Sequence, residues 1–163
     1  MSQPRSKRSI GLVSDTHGLV RPSVHTALRG VELILHAGDV GGPDVIDELS
    51  AIAPVIAVFG NTDPPGVPGL QQEVVMNIDG VSLHVSHGHE LGSPNPESLL
   101  ARYPQDVLVY GHTHRQLVHQ DGARLVVNPG AAGPRRFNVS PSVGRLMISE
   151  GAASVEIVEL DDD

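Results

Sequence analysis

The stretch Ser9-Ile-Gly-Leu-Val-Ser-Asp-Thr-His-Gly18 sets the pattern of this chain. An apolar run of strand length, Ser9–Ser14, stops at Asp15-Thr16-His17-Gly18, four residues rich in polar donors. Arg21–Leu28 follows, and Pro22 near its start suits the first turn of a helix, where a missing N–H costs nothing. Val31–His36 is a second apolar run. Pro43–Ile52 reads as a second helix, with Val45, Ile46 and Leu49 spaced i, i+1, i+4, and Pro54–Phe59 as a third strand. Strand–helix–strand–helix–strand predicts parallel strands joined by right-handed crossovers.

Outward from this unit the pattern changes to hairpins. Leu70–Ile78 and Val81–Ser86 flank Asp79-Gly80, a dipeptide that favours a tight turn between strands. Gln116–His119 and Ala123–Val127 flank Gln120-Asp121-Gly122, and Val143–Ser149 and Ser154–Leu160 flank Glu150-Gly151-Ala152. Between them Pro96–Arg102 reads as a short helix and Asp106–Tyr110 as an apolar strand. A parallel α/β start followed by hairpins predicts two packed sheets with helices outside, in preference to one doubly wound sheet.

The chain has 163 residues, close to the roughly 150 of one ordinary domain. The domain is expected over residues 9–160, with a polar tail at 1–8 and an acidic one at 161–163. There is no cysteine, which excludes disulfides, thiolate metal sites, iron–sulfur clusters and a cysteine nucleophile. Nineteen acids against eleven bases give a net charge of −8, so broad binding to nucleic acid or to anionic membranes is not expected. Two Tyr, two Phe and no Trp are too few for a base-stacking platform. No apolar run has the length of a signal peptide or a membrane span, and the expected location is cytoplasmic. Oligomeric state is left open, a homo-oligomer included. Nine histidines in a chain without cysteine are the compositional oddity.

Five predicted strands end in the same way, at metal-capable side chains beside a glycine: Asp15-Thr16-His17-Gly18, Gly38-Asp39, Gly60-Asn61-Thr62-Asp63, His87-Gly88-His89 and Gly111-His112-Thr113-His114. In open α/β sheets ligands bind beyond the carboxyl ends of the strands, so the parallel members should bring these groups to one place. Asp, Asn and His suit Mn²⁺, Fe, Zn²⁺ or Co²⁺. In extended backbone, residues i and i+2 point the same way, so Asp15/His17 and His112/His114 are each expected to offer a donor pair. Asp15, His17, Asp39, Asn61, His87, His112 and His114 are seven donors, more than one tetrahedral ion uses. They suit two ions about 3.5–4 Å apart that share a carboxylate. His25, His84 and His119 read as surface or core residues, and Gly41-Gly42 as a turn rather than a phosphate loop.

The five motifs, in this order and followed by Asn128-Pro129-Gly130 and Pro134-Arg135, resemble those of the calcineurin-like metallophosphoesterases, in particular their small single-domain bacterial and archaeal phosphodiesterases. The resemblance spans residues 10 to 136. It implies the metallo-dependent phosphatase fold: a four-layer α/β/β/α sandwich of two mixed sheets flanked by helices. It implies that Asp15, His17 and His114 hold one divalent ion, that Asn61, His87 and His112 hold the other, and that Asp39 bridges them. Mn²⁺ is the first expectation, with Fe, Zn²⁺, Co²⁺ or Ni²⁺ as alternatives. The implied reaction is hydrolysis of a small phosphate ester, most simply a diester, by in-line attack of a hydroxide shared by the ions, with Asn61 stabilising the phosphate oxygens.

One position departs from the wider superfamily. Many members carry a His directly after the Asn; here the residue is Thr62, a poor proton donor. Esters with acidic leaving groups are therefore the expected substrates, and His89 is a candidate substitute donor. Asp63 is read as an orienter of a ligand or a turn residue, His36 as a partner of a ligand, and Arg135, with Arg136, as a grip on a phosphate. The alternatives are a non-catalytic protein-binding scaffold on the same fold and a metal-dependent nuclease. The first is disfavoured by the complete donor set, the second by the lack of a basic stripe.

Overall fold

The computed structural model describes residues 7–64, 66–136 and 138–161. The first β/α unit runs β1 (Arg8–Val13), α1 (Pro22–Ala27), β2 (Leu33–His36), α2 (Pro43–Ser50), β3 (Val55–Val58). It continues through β4 (Leu70–Gln71), β5 (Glu73–Ile78), β6 (Val81–Ser86), a 3-10 turn at His89–Leu91 and α3 (Pro96–Arg102). β7 (Val107–Val109), β8 (Leu117–Asp121), β9 (Arg124–Asn128), β10 (Ser142–Ser149) and β11 (Ala152–Glu159) complete the chain. One sheet has the order β11-β10-β1-β2-β3-β4 and the other β5-β6-β7-β9-β8. As the repeating unit predicts, β1, β2 and β3 are parallel. In the second sheet β6, β7 and β9 are parallel as well, with antiparallel β5 and β8 at the edges.

The period of two along each strand builds four layers. Ile10, Leu12 and Leu35 of the first sheet face Leu83, Val85, Val107, Val109 and Val127 of the second, forming the core between the sheets. Val13 and Ile34 point the other way, onto Val24 of α1, Leu28 just after it, and Val45 and Leu49 of α2. On the far side, Leu108 and Val126 pack against Leu99 of α3. Each fully buried Leu, Ile or Val contributes roughly 1.5–3 kcal/mol by leaving water. Gly11 is part of this packing: a Cβ there would stand 3.1 Å from Leu28 Cδ1, so its absence lets α1 sit close on β1. The start of α3 is fixed by Asn95, whose side chain accepts from Ser98 N while Ser98 Oγ accepts from Asn95 N.

Two expectations change. The run Leu70–Ile78 is not one strand. Gln72 breaks it, β4 pairing with β3 in the first sheet and β5 with β6 in the second. The run reads as continuous because no glycine or proline divides it, yet Leu70 packs with the helix-side core and Val74 with the core between the sheets. The N-terminal strand also starts inside the expected tail: Arg8 pairs at 3.0 Å with both Glu32 and Asp79. At the other end the Asp161 carbonyl accepts from Arg21. Residues 1–6, 162 and 163 of the two expected tails lie outside the described residues. Among the described residues no helix is long and apolar enough to cross a membrane.

Candidate metal centre

The carboxyl ends of β1, β2, β3, β6 and β7 meet at one edge of the sandwich. The backbone there is not extended, so the anticipated i, i+2 pairing gives way to a different geometry. Asp15 (φ 54°), His17 (46°), Asp39 (54°), His112 (72°) and His114 (62°) all lie in the left-handed region. Such a conformation costs roughly 1–2 kcal/mol per non-glycine residue and persists only where surroundings enforce it. Here three N–H groups of the first loop donate to carbonyls of the second: Asp15 to Gly38, His17 to Asp39 and Gly18 to Val40, at 2.9–3.0 Å. The left-handed turns curl both loops so that their side chains converge.

The donors form two groups that share Asp15. Asp15, His17 and His114 bring one donor atom each within 4.8 Å of one another, and so do Asp15, Asp39 and His87. Asp15 Oδ2 is occupied by Ser14 Oγ at 2.6 Å and His112 N at 3.2 Å. That leaves Oδ1 facing inward, 3.4 Å from His114 Nε2 and 3.8 Å from His87 Nε2. Asp39 Oδ1 accepts from Thr62 N at 2.9 Å, while Oδ2 lies 3.2 Å from His87 Nε2 and 3.7 Å from His17 Nε2. Both carboxylates therefore use one oxygen to anchor themselves and present the other. His112 Nδ1 is 3.2 Å from Asn61 Oδ1, and the His112 ring stands edge-on to His87 with centroids 5.2 Å apart.

The donor chemistry fits divalent ions. Asp15 Oδ1 and His87 Nε2 are buried and have no hydrogen-bond partner. His87 Nδ1 is 2.8 Å from the Ala37 carbonyl, which can only accept, so Nδ1 carries the proton and Nε2 offers a lone pair. Burial raises the Asp15 and Asp39 carboxyls, but His114, His87 and Ser14 together outweigh it at Asp15 and His87 with Thr62 at Asp39, and both stay below the ordinary range. Burial lowers His17 and His112 toward the neutral, ligating form. It lowers His87 too, where Asp39 and Asp15 prevail and the net direction is upward. Two cations would supply the missing partners and replace this imidazole–carboxylate attraction.

Positioning falls to residues the motifs only half disclosed. Asp63 accepts from Gly60 N (2.9 Å), Val40 N and Gly41 N (both 3.1 Å), so it clamps the Asp39 loop to the Asn61 loop. It acts through backbone and touches no ligand side chain. Asn128 does the same for the fifth motif, its amide donating to the Gly111 carbonyl (3.1 Å) and Thr113 Oγ1 (3.0 Å) while its Oδ1 accepts from Gly130 N. Sequence reading found Asn128 only as part of a resemblance. Glycines keep the loops close: a Cβ on Gly111 would meet Ser14 Oγ at 2.0 Å.

His36 pairs with loop atoms rather than with a ligand side chain. Its Nδ1 accepts from Gly38 N at 3.1 Å, which places the proton on Nε2, 3.0 Å from Thr16 Oγ1; Thr16 in turn donates to the Val40 carbonyl. Burial lowers its pKa from 6.5 to about 4. The unfolded chain therefore binds one more proton than the folded chain in that window, and stability falls as pH drops from 6.5 to about 4. Denaturant titrations of chelator-treated protein should show a loss on the order of 3 kcal/mol across it. His36→Asn, which keeps an acceptor for Gly38, should lose most of that slope.

The remaining candidates divide. His89 flanks the centre, its ring 5.4 Å from His87 and 6.4 Å from His112. Arg135 is exposed on the segment after Pro134, and it is the neighbouring Arg136 whose charge acts on His17. His25 pairs with Glu48 at 3.1 Å and His119 is exposed, both away from the centre. His84 is buried against Tyr103.

Comparison with known proteins shows the family and the fold. The calcineurin-like phosphoesterase superfamily domain matches residues 9–151. A probable metallophosphoesterase of Methanothermobacter thermautotrophicus is 35% identical over 159 residues, covering 91% of each chain. The phosphodiesterase YfcE of Escherichia coli K12 is 31% identical over 160 residues, covering 82% of this chain and 84% of its own. Among solved structures, Vacuolar Protein Sorting 29 of Cryptosporidium parvum superposes with a TM-score of 0.77 at 22% identity, over 96% of this chain and 99% of its own, a likeness of fold.

Proposed function

The chain belongs to the calcineurin-like phosphoesterase superfamily, and from that premise we propose that it is a two-metal phosphodiesterase acting on small phosphate esters. The observation that carries this reading is the convergence of two buried carboxylate oxygens, Asp15 Oδ1 and Asp39 Oδ2, on the Nε2 atoms of His17, His87 and His114 at 3.2–3.9 Å. A cation held among them would satisfy these buried polar groups, whose burial without a partner costs roughly 1–3 kcal/mol and more for a charged one. The same completeness of the donor set favours an enzyme over a scaffold.

In this reading Asp15, His17 and His114 would hold one ion, Asn61, His87 and His112 the other, and Asp39 would serve both. Two such ions, Mn²⁺ in the first instance, supply a water deprotonated near neutral pH and positive charge against the phosphate oxygens. The chain's own groups do the rest. Two ionised carboxylates leave the loaded site positive, which draws an anionic substrate despite the net charge of −8. The Asn61 amide N–H donates to a phosphate oxygen as charge develops there. Arg136 and Arg135 offer guanidinium groups to the same phosphate. Asn61 and Thr62 are exposed, so the leaving group departs toward solvent past His89, which donates a hydrogen bond to its oxygen.

Matched aryl and alkyl phosphodiesters and aryl monoesters test this, assayed after chelation and with each metal restored singly. Activity should vanish on chelation and return with Mn²⁺. Aryl diesters should turn over at least about 10²-fold faster than alkyl diesters, the scale of one missing general acid. His89→Ala should slow the alkyl esters most. Full activity in chelator would refute the metal reading, and an unchanged alkyl rate in His89→Ala would remove that residue from the reaction.

A further inference from the structure

Behind the second group of ligands lies a chain of contacts that the proposed reaction does not use. β6 ends at Ser86, just before His87, and the backbone reverses at Gly88 (φ 98°) so that His89 returns toward the centre. The buried Gly88 N–H donates to Glu90 Oε1 at 3.0 Å. Glu90 Oε2 accepts from Tyr103 Oη at 2.7 Å. Tyr103 follows α3, in the outer layer, and its ring stacks on His84 at a centroid distance of 3.7 Å and 22° between planes. His84 is only 1% exposed, with Nε2 2.8 Å from Glu73 Oε2. The hydroxyl is thus aimed by a locked ring, and the carboxylate by the hydroxyl.

We propose that Glu90 and Tyr103 are positioning residues for the second ion: the run Tyr103 Oη–Glu90–Gly88 N–H sets the His87-Gly88-His89 turn and so the direction of the His87 lone pair. The inference rests on the two-ion reading above. His87 is held at Nδ1 by the Ala37 carbonyl, which fixes one edge of the ring but not the path of the chain beyond it. Glu90 fixes that path. Without it the buried Gly88 N–H loses its acceptor, an expense of roughly 1–3 kcal/mol that a rearranged turn would avoid. A rearranged turn carries His87 with it. The first group, Asp15, His17 and His114, comes from other loops and does not depend on this turn.

The experiment compares wild type, Tyr103→Phe, Glu90→Gln and Glu90→Ala by Mn²⁺ titration calorimetry and by electron paramagnetic resonance at two equivalents of Mn²⁺. Tyr103→Phe keeps the stacked ring, and Glu90→Gln keeps one acceptor for Gly88. Tyr103→Phe should weaken the second Mn²⁺ about tenfold and leave the first within about twofold, the scale at which outer partners tune a metal site. Its spectrum should shift from a spin-coupled pair toward single-ion Mn²⁺. Glu90→Ala should be the most affected and Glu90→Gln should recover part of the loss. If all variants bind two Mn²⁺ as wild type does, or if both ions weaken equally, the relay is wrong. Wild-type protein that fails to take up a second ion would instead bring down the two-ion reading and the relay together. Should Glu90→Ala not fold, Tyr103→Phe decides the matter alone.

Discussion

Asp39→Asn is expected to fold normally, to hold no pair of ions, and to lose at least about 10³-fold in kcat/KM toward an aryl phosphodiester, equivalent to roughly 4 kcal/mol of transition-state stabilisation. The substitution exchanges one carboxylate oxygen for an amide nitrogen. The amide oxygen that remains can still accept from Thr62 N, so the loop keeps its anchor. The atom lost is Asp39 Oδ2, which stands 3.2 Å from His87 Nε2 and 3.7 Å from His17 Nε2, nearer to both than Asp15 Oδ1 at 3.8 and 3.9 Å. An amide N–H in its place points a donor where a cation must sit. It also removes one of two buried like charges, since Asp15 and Asp39 share a metal group. Against that relief, the lost oxygen attracts His87 and His17 in the metal-free protein, so thermal stability in chelator should fall modestly below wild type. Manganese content after dialysis against excess Mn²⁺ checks the expectation, and two full equivalents in Asp39→Asn would overturn the bridging assignment.

Gly60→Ala is the second large effect, and it reaches the same carboxylate sterically. A Cβ at residue 60 would stand 2.1 Å from Asp39 Oδ1 and 2.4 Å from Asp39 N, and the latter is backbone and cannot swing away. Gly60 N also donates to Asp63 at 2.9 Å, so the loop cannot retreat without loosening the clamp on residues 40 and 41. A cost of about 2–3 kcal/mol in stability is expected, as for an overpacked interior. A displacement of the order of 1 Å at Asp39 should lower activity about 10²-fold even where the variant folds. Gly122→Ala is the control: nothing lies near its Cβ, but its φ of 59° leaves the conformational cost alone, about 1 kcal/mol. Urea denaturation in chelator measures both. Equal losses in the two variants would mean that the Asp39 and Asn61 loops are not packed against each other.

Much of the centre was legible in the chain. The runs Ser9–Ser14, Val31–His36, Pro54–Phe59, Val81–Ser86 and Asp106–Tyr110 each end in donors, and the structure brings all five ends together. This worked because a buried strand declares itself by a high density of apolar residues, so the polar cluster with glycine after it marks where the chain leaves the core. The β1–β2–β3 arrangement followed from the same logic. The switch at Gln72 did not, since a stretch without glycine or proline carries no mark of which of two sheets each half will enter. Nor did the left-handed backbone at Asp15, His17, Asp39, His112 and His114. Those conformations are unfavourable locally, and no propensity encodes a state that only distant hydrogen bonds enforce.

By itself, then, the amino-acid sequence determined the inventory and the order: which side chains can ligate, that they sit at strand ends, and that helices and strands alternate before the hairpins begin. Tertiary structure alone decided which oxygen of Asp15 stays bare, that Asp63 and Asn128 act through backbone, and that His84 and Tyr103 stand behind the His87 turn. The division has one physical cause. Periodicity and composition report on burial, a property of each residue and its near neighbours. Lone-pair direction and hydrogen-bond partnership depend on groups from the Ser14 loop to Asn128, which meet only when both sheets are assembled.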